Sequence, residues 1–433
     1  MAGRRPEVLS DRSRSLSEPP CWPSGSRLAR LGTASEALPT TVLLDQTSLD
    51  TPARDRGHGR YVRELSRGLA ELSSSERGGL AFQALTHLDV GGAYRVTDDI
   101  TSFQGSPELT SPAAKDHYRW AYARRFALWR AVRSIGAAAV HLGDPNCTPL
   151  LMSLTKCKKI VTCHDTIPAR YPSRYFGVRD GGPMLGLLIE KRRYRSADLV
   201  IAISEATRQD ACAYLGLRSE KVVHIYNGVD VERWAAEPRL EQRQLLERFG
   251  LYERPFVLYV GGSDWHKNIE GMLGGLARAR AAGADVLLAW AGKLRADHAH
   301  EVDAMSHRLG VAEAVRRLGY VSDEELAVLY RAARAHVLVS WCEGFGLTVV
   351  EAMACGCPVL TTRGGSLSEV AGDAALTVDP ADPAAIGAAL ARVCSDTELR
   401  ALLARRGRER APRFSRGVQA RAMAKAYRAL LGA

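Results

Sequence analysis

Short apolar runs alternate along the chain with longer segments whose apolar positions recur at helical spacing. The first run is "TTVLLDQTSL", and the segment after it, "GHGRYVRELSRGLAEL", places Tyr61, Leu65 and Leu69 on one helix face. Further strand runs are "AAAVHLG", "KKIVTCHD", "DLVIAIS" and "KVVHIYNG", and a helix pattern, "EATRQDACAYLG", lies between the last two. This order is typical of a doubly wound α/β layer.

A charged segment at residues 227–254 interrupts the alternation, which then restarts. The later strand runs are "FVLYVGG", "ADVLLAWAG", "VRRLGYVS", "AHVLVSW" and "CPVLTT". We therefore predict two α/β domains at residues 39–226 and 255–411, a linker region at 227–254 and a final helical segment at 412–433. Ligands of such sheets bind beyond the carboxyl ends of the strands, so the loops that follow strands are the candidate sites.

Residues 1–38 differ from the rest of the chain. They are rich in Ser, Arg, Pro and Gly and lack apolar periodicity, which predicts a disordered N-terminal tail. The tail has no apolar stretch typical of a secretory signal. No run in the sequence reaches the roughly 18 apolar residues that a membrane-spanning helix needs.

Charge and cysteine content narrow the class of protein. The net charge of +11 favours anionic partners, which could be nucleotide phosphates, acidic lipid or nucleic acid. The 9 cysteines are scattered and odd in number, which favours reduced thiols in a cytoplasmic protein. No zinc spacing is present among them, and no D-x-D motif lies near the glutamates described next.

The segment "CEGFGLTVVEAMACGCPV" at residues 342–359 reads as a turn and a helix that follow a strand. Gly344 and Gly346 let the backbone approach a ligand, and the free amides of the first helical turn favour an anion or an oxygen-rich group. Glu343 lies in the turn and Glu351 inside the helix. Two carboxylates can accept hydrogen bonds from the vicinal hydroxyls of a ribose or a hexose. Equally, Glu343 could only cap the helix while Glu351 faces solvent.

Two other strand ends carry candidate residues. Lys267 follows Gly261 and Gly262 and precedes a helix, where it could neutralise a phosphate or be an ordinary surface lysine. Asn268 is a candidate helix cap. His164 and Asp165 follow a strand of the first half, where a lone histidine is more often structural. The segment "DRGHGRY" supplies a glycine loop of the kind that lets backbone approach a substrate.

These residues resemble the retaining family 4 glycosyltransferases, whose GT-B architecture places two Rossmann-like domains on either side of a cleft. The resemblance spans about residues 40–432 and rests on "EGFGLTVVEAMACGCPVLTT" with "GGSLSEVAGDAALTVDPAD". The segments "GHGRYVREL", "HDTIPARYP", "ISEATRQD", "NGVD", "VGGSDWHKN" and "GYVSDEELAVLY" occur in the family's usual order. An ordered set of this kind is more specific than any single motif.

The resemblance implies a role for individual residues. Glu351 would bind the ribose of a nucleotide sugar, Glu343 the donor sugar and Lys267 the diphosphate, while His164 would lie beside the reacting carbon. The remaining donor-site residues would be Gly344, Phe345, Gly346, Leu347, Gly262, His266 and Val321, and Gly59, Arg60 and Asp165 would belong to an acceptor or phosphate loop. The base would lie near residues 319–321.

The chain departs from the family's pattern at two places. Many members place an arginine here that helps to neutralise the phosphate, but this chain has Ser263 and His266 at the two positions where it occurs. Lys267 is therefore the one certain cation. Arg60 or Arg363 could reach the phosphate from elsewhere in the chain. The final helix, "FSRGVQARAMAKAYRALLG", resembles the family's helix that crosses back to the first domain. Arg416 stands there in place of the usual tryptophan, which leaves its docking less certain.

The resemblance implies a retaining, metal-independent enzyme that moves a hexosyl group, with mannosyl as the first candidate, from a nucleoside diphosphate sugar to an acceptor hydroxyl. GDP-mannose is the first candidate donor, and UDP-hexoses follow. The product would belong to a polysaccharide, a glycolipid or a glycosylated metabolite. The alternatives are an idle nucleotide-sugar binding protein and a basic adaptor for membrane or nucleic acid, and we expect no nucleic-acid partner.

A basic, aromatic helix is predicted at residues 115–136, "KDHYRWAYARRFALWRAVRSIG". It could lie on an anionic membrane, since interfacial helices pair Arg and Lys with Trp and Phe. The favoured interpretation is that Tyr122, Phe126 and Trp129 pack against the first sheet. The Arg and Lys content of the final helix could also place it on anionic lipid, and a solvated helix face is the favoured interpretation there.

Overall fold

The computed structural model describes residues 40–50, 54, 57–88, 93–102, 117–144, 157–176, 182–294 and 296–432, without the side chains of 117–123 and 296–297. The N-terminal tail predicted at residues 1–38 lies outside these ranges. Tyr122 is among the residues whose side chains are not described.

The first half of the described chain forms a seven-stranded sheet in the order β3-β2-β1-β4-β5-β6-β7. All neighbouring strands are parallel except β3, which runs antiparallel to β2 at the edge. The strands are β1 Thr40–Asp45, β2 Leu80–Thr86, β3 Arg95–Thr97, β4 Ala139–Leu142, β5 Lys158–Cys163, β6 Leu199–Ala202 and β7 Val222–His224. The helices are α1 Gly57–Glu71, α2 Ser74–Arg77, α3 His117–Ile135, α4 Ile167–Arg170, α5 Pro172–Tyr175, α6 Gly182–Arg195 and α7 Glu205–Leu215.

The second half forms a parallel sheet, which has six strands in the described residues, in the order β10-β9-β8-β11-β12-β13. Two short helices, α8 Val231–Ala235 and α9 Gln242–Arg248, precede it in the segment predicted as a linker. The strands are β8 Phe256–Val260, β9 Leu287–Ala291, β10 Val315–Gly319, β11 His336–Leu338, β12 Val359–Thr362 and β13 Ala375–Val378. The helices are α10 Ile269–Ala281, α11 Ala296–Arg308, α12 Asp323–Ala332, α13 Leu347–Ala354, α14 Leu367–Ala371, α15 Pro383–Ser395, α16 Thr397–Arg410 and α17 Arg416–Leu431.

These two doubly wound sheets confirm the predicted fold class, and every strand predicted from an apolar run is present. The pattern of apolar runs does not predict β2, β3 or β13. β3 and β13 are edge strands without a fully buried residue, and Gln83 interrupts the apolar residues of β2, so none of the three shows a continuous apolar run. The exact domain boundaries stay a prediction.

The predicted docking of the final helix on the first half is confirmed. α17 packs against α1, and the Tyr427 hydroxyl lies 2.6 Å from Nδ1 of His141 on β4. Where the family has tryptophan, the Arg416 guanidinium forms ion pairs with Glu71 at 2.8 Å and Asp230 at 2.5 Å. Charge pairing therefore occupies the place of an apolar contact.

The prediction that the aromatic residues of α3 pack against the first sheet is wrong for two of them. The helix buries Arg124, Ala127, Leu128, Ala131 and Val132, whereas 61% of Phe126 and 41% of Trp129 are exposed. Arg124 is buried because its guanidinium pairs with the carboxylate of Asp45 at the end of β1. Small and aliphatic residues of α3 thus fill the interface, and Phe126 and Trp129 face outward.

Candidate active site

The turn between β11 and α13 carries Glu343, and α13 itself carries Glu351. Gly346 precedes α13 with a φ of +93°, a left-handed conformation that glycine adopts without strain. The helix that follows keeps Glu351 on its inner face, where the residue is 2% exposed. The alternative that Glu343 caps the helix while Glu351 is solvated is therefore wrong.

Glu343 is held by hydrogen bonds on one carboxylate oxygen. Its Oε1 accepts from the Ser340 hydroxyl at 2.6 Å and from the Lys267 ammonium at 2.8 Å. Burial opposes ionisation of Glu343, but the neighbouring groups, foremost the charge of Lys267, together outweigh it and lower the pKa of the carboxyl group. Glu343 and Lys267 thus form an ion pair, and Lys267 is not an ordinary surface lysine.

Asn268 fixes the position of Lys267. It has a φ of +55° and caps α10 by accepting a hydrogen bond from the amide of Gly271. Its side-chain amide donates to the carbonyls of Val339 at 3.0 Å and Pro380 at 2.8 Å. This buried side chain ties the lysine turn to the end of β11, and the predicted cap is confirmed.

His164 lies at the end of β5 on the opposite side of the cleft. Its Nε2 is 2.6 Å from the carbonyl oxygen of Gly143, and because a carbonyl can only accept, Nε2 carries the proton. Burial lowers the pKa of His164 well below its ordinary value, so the ring is neutral at pH 7. The rings of His58 and Tyr61 contact it edge to face.

The glycine turn of the second half touches the His164 backbone. A Cβ atom added to Gly344 would lie 1.9 Å from the carbonyl oxygen of His164. The Gly344 carbonyl in turn accepts a hydrogen bond from the Thr207 hydroxyl at 3.2 Å. The absence of a side chain at Gly344 is thus what lets the two halves approach here.

The predicted glycine loop at Gly59 is wrong, because residues 57–60 form the first turn of α1. Gly59 is buried, and a Cβ atom there would lie 2.3 Å from the carbonyl oxygen of Arg54. Arg60 crosses the cleft and pairs with Glu351 and, at 2.5 Å, with Asp323. Burial raises the pKa of Glu351, and the guanidinium of Arg60 opposes that rise.

Other predicted residues take different positions. Asp165 is half-buried, and its Oδ1 accepts from the amide of Ile167 at 2.9 Å, which holds the start of α4. The Phe345 side chain is buried against Tyr226 and Phe414, so its backbone is the part available to a ligand. Gly262, Leu347 and Val321 are half-buried, and Arg363 is exposed.

His266 lies beside the ion pair, where Nδ1 of its ring is 2.9 Å from the hydroxyl of Tyr175. Burial lowers the pKa of His266, so it is not a second cation at neutral pH. Lys267 and Arg60 are therefore the cations that the described structure brings to the cleft from the predicted set.

Two residues that contact both halves were missed by the sequence analysis. Asp323 at the start of α12 pairs with Arg60, as described above. Glu369 on α14 accepts hydrogen bonds from the amides of Glu205 at 3.1 Å and Ala206 at 2.9 Å, at the first turn of α7. Glu369 lies in the segment "EVAGDAA", which marked the family but indicated no contact partner.

The cleft is closed beside Glu343 and open beside Arg60 and Asp323. Around Glu343, Gly344 and Asp165 a cavity of about 10 Å³ remains, which is room for a single water molecule. A second cavity of about 300 Å³ is lined by Arg60, Tyr320 and neighbouring polar residues. A hexose beside Glu343 therefore needs more room than this arrangement leaves there.

The described residues offer neither a metal-ion cluster nor a membrane-spanning helix. Within them, no group of three or more His, Cys, Asp or Glu side chains could hold a metal ion. In the same ranges, no helix combines the length and the apolar content needed to cross a bilayer. In the described part of the chain, no disulfide joins any of the seven cysteines.

Two family models match this chain. "Glycosyltransferase Family 4" matches residues 56–233, and "Glycosyl transferases group 1" matches residues 242–410. The chain belongs to the family 4 glycosyltransferases. The two matches place the sides of the cleft in separate family modules, with His164 and Arg60 in the first and Lys267, Glu343 and Glu351 in the second.

Curated relatives of this family 4 chain include mannosyl enzymes. The O-antigen chain mannosyltransferase B of Escherichia coli is 32% identical over 223 residues, which is 51% of this chain and 58% of the relative. The mannosylfructose-phosphate synthase of Agrobacterium fabrum is 30% identical over 226 residues, which is 50% of each chain. The chain thus matches little more than half the length of these relatives.

Solved structures with the GT-B fold superpose on nearly the whole chain. Sucrose-phosphate synthase from Thermosynechococcus elongatus has a TM-score of 0.71 at 22% identity, and the match covers 91% of this chain and 99% of that one. HepE from Anabaena, in complex with UDP and glucose, has a TM-score of 0.66 at 16% identity, with 90% and 100% covered. At these identities the likeness concerns the fold.

Proposed function

We propose that this chain is a retaining glycosyltransferase that moves a hexosyl group from a nucleoside diphosphate sugar to an acceptor hydroxyl. The observation that carries the proposal is the cleft between the halves, where Gly344 beside the Glu343–Lys267 ion pair contacts the backbone of His164 and where Glu351 pairs with Arg60. Family membership supports the same reaction class.

Charge development explains the need for these groups. When the bond from the anomeric carbon to the phosphate oxygen breaks, negative charge grows on the diphosphate. Lys267 and the free amides at the start of α13 stabilise that charge as a preorganised electrostatic site. The acceptor oxygen forms the new bond on the same face of the sugar, and its proton passes to the leaving phosphate oxygen. Glu343 orients the donor sugar and keeps Lys267 in place before the diphosphate binds.

Arg60 supplies the phosphate cation that Ser263 and His266 do not. In the free protein its guanidinium is held by Glu351 and Asp323. Ribose hydroxyls that bind Glu351 compete for the same carboxylate, which releases the guanidinium towards the diphosphate. This exchange couples donor binding to the contact between the two halves.

GDP-mannose is the first donor that we propose, and a UDP-hexose is the second. Mannosyl transfer is supported by the names of the two curated relatives, and uridine nucleotides occur in a complex of a protein with the same fold. The acceptor is a hydroxyl of a polysaccharide, a glycolipid or a small metabolite. We propose that the reaction requires no metal ion.

The test is a thermal-shift panel of GDP, UDP, TDP and their common sugars, followed by donor turnover on each hit with and without EDTA. A rise in melting temperature with one base, and turnover that EDTA leaves unchanged, are the expected results. Glu351→Gln should weaken nucleotide binding, and Glu343→Gln should lower kcat more than affinity. Folded protein without any shift or turnover would overturn the proposal.

A further inference from the structure

The outer face of α3 is both apolar and basic. Phe126 and Trp129 project from it, and Arg130 and Arg133 are exposed beside them. The Arg133 guanidinium lies 4.8 Å from the centre of the Trp129 ring. The sequence of α3, "HYRWAYARRFALWRAVRSI", contains no Asp or Glu, so no acidic side chain of this helix offsets the arginines.

The outer face of α6 has the same character. Met184 is 86% exposed, Leu185 46% and Leu188 59%. Arg192 and Arg195 are exposed in its last turns. The acidic residue of this helix, Glu190, is paired with Arg193 at 2.9 Å. Exposed apolar side chains at the start of α6 are thus followed by basic side chains at its end.

The two helices cover one face of the seven-stranded sheet. Leu128 of α3 and Tyr194 of α6 belong to the same buried cluster as Leu43, Val140 and Val161, which lie on β1, β4 and β5. α3 contacts β1, and the Tyr194 hydroxyl of α6 lies beside the Cys163 thiol on β5. These two strands flank β4 and are therefore about 10 Å apart, which is the spacing of packed helices.

We infer that this combined face, the α3–α6 surface, docks on a lipid bilayer with anionic headgroups. We define the surface by Phe126, Trp129, Met184, Leu185 and Leu188 together with the exposed arginines of α3 and α6. Aromatic and aliphatic side chains between arginines match the boundary between headgroups and acyl chains. Arginines near an anionic membrane surface are attracted to its headgroups.

The charge pattern selects this occupant over a second copy of the chain. A symmetric dimer through the α3–α6 surface would place the arginines of one copy against those of the other. Like charges opposed in an interface are unfavourable. An anionic bilayer instead satisfies the arginines and buries the apolar side chains together. The inference concerns binding alone and does not depend on the proposed transfer reaction.

The test is cosedimentation of the full chain with vesicles of phosphatidylcholine, alone or mixed with phosphatidylglycerol. We expect binding to the mixed vesicles and at least tenfold weaker binding to phosphatidylcholine alone. Phe126→Ser combined with Trp129→Ser should weaken binding to mixed vesicles about tenfold, since exposed aromatic residues supply the buried apolar area. Met184→Ser combined with Leu188→Ser should act in the same direction.

The contribution of the arginines is tested with Arg130→Gln combined with Arg133→Gln, which should weaken binding to mixed vesicles at least tenfold at low salt. The matched control is Arg405→Gln combined with Arg413→Gln, two exposed arginines of the second half, and it should keep full binding. An apolar control, Leu240→Ser, replaces a residue that is 38% exposed elsewhere. Unchanged melting temperatures show that each variant folds.

Three results would overturn the inference. The first is no binding of the unmodified chain to mixed vesicles at low salt. The second is binding that the α3 and α6 substitutions leave unchanged. The third is a dimer, detected by light scattering, that those substitutions dissociate, because the surface would then be an interface between two copies.

Discussion

The ion pair between Arg60 and Glu351 joins the two halves of the molecule and can be measured directly. The Glu351 side chain is 3% exposed and that of Arg60 29% exposed. A charge-assisted hydrogen bond contributes about 1.5–3 kcal/mol, and partial exposure of one partner reduces that value. We therefore predict a coupling free energy of about 1–2 kcal/mol between these residues in the free protein.

The assay is a double-mutant cycle with Arg60→Ala, Glu351→Gln and the double variant. The free energy of unfolding of each protein is taken from urea titration. Arg60→Ala alone should cost more than the coupling energy, since it leaves Glu351 buried with the Tyr330 hydroxyl at 3.4 Å. The control cycle on the exposed pair Arg243 and Glu247 should give about 0.3–0.5 kcal/mol.

A saturating nucleotide should change the result. Because ribose hydroxyls are proposed to take the Glu351 carboxylate, the coupling between Arg60 and Glu351 should fall by at least half when nucleotide is bound. A coupling below about 0.5 kcal/mol in the free protein would refute the reasoning, because the cleft would then be open in solution. An unchanged coupling with bound nucleotide would refute the proposed exchange.

The other predictions concern three positions of the cleft. Asn268→Ala should lower the free energy of unfolding by about 2–4 kcal/mol in urea titration, since it removes a cap and two buried hydrogen bonds. Asn268→Gly should recover about 1 kcal/mol of that loss because glycine accepts the positive φ, and equal losses would contradict this. Gly344→Ala should lower kcat at least tenfold, because its Cβ would clash with the His164 carbonyl. The control Gly417→Ala on α17 should keep full activity. Normal turnover of Gly344→Ala would mean that the contact is absent during catalysis. The pKa of Glu343 is lowered in the folded protein, so its ionised form stabilises the fold above its unfolded pKa of about 4.3, and this stabilisation is lost as pH falls. The free energy of unfolding of Glu343→Gln should therefore fall less steeply below that pH than that of the unmodified protein. Parallel curves for the two proteins would show that the ion pair is not stabilising.

Much of the fold was predictable because its signals are local. Buried parallel strands read as continuous apolar runs, and helix ends carry their own residues, such as Gly216 after α7 with a φ of +63°. The missed strands β2, β3 and β13 lack that local signal, since their burial depends on which neighbours the sheet supplies. The aromatic residues of α3 were misplaced for a related reason, because composition does not reveal which helix face meets the sheet.

The sequence by itself determined the order of elements, the glycine turn before α13 and the set of candidate residues, because each depends on side chains close together in the chain. Only the tertiary structure decided how those residues pair. Lys267 meets Glu343 across 76 positions, and Arg60 meets Glu351 across 291. Such contacts depend on the packing of the two sheets. The same packing buries Glu351 and His164, which raises the pKa of Glu351 and lowers that of His164, and it brings Lys267 to Glu343. Neither distance nor burial is encoded within a single local segment.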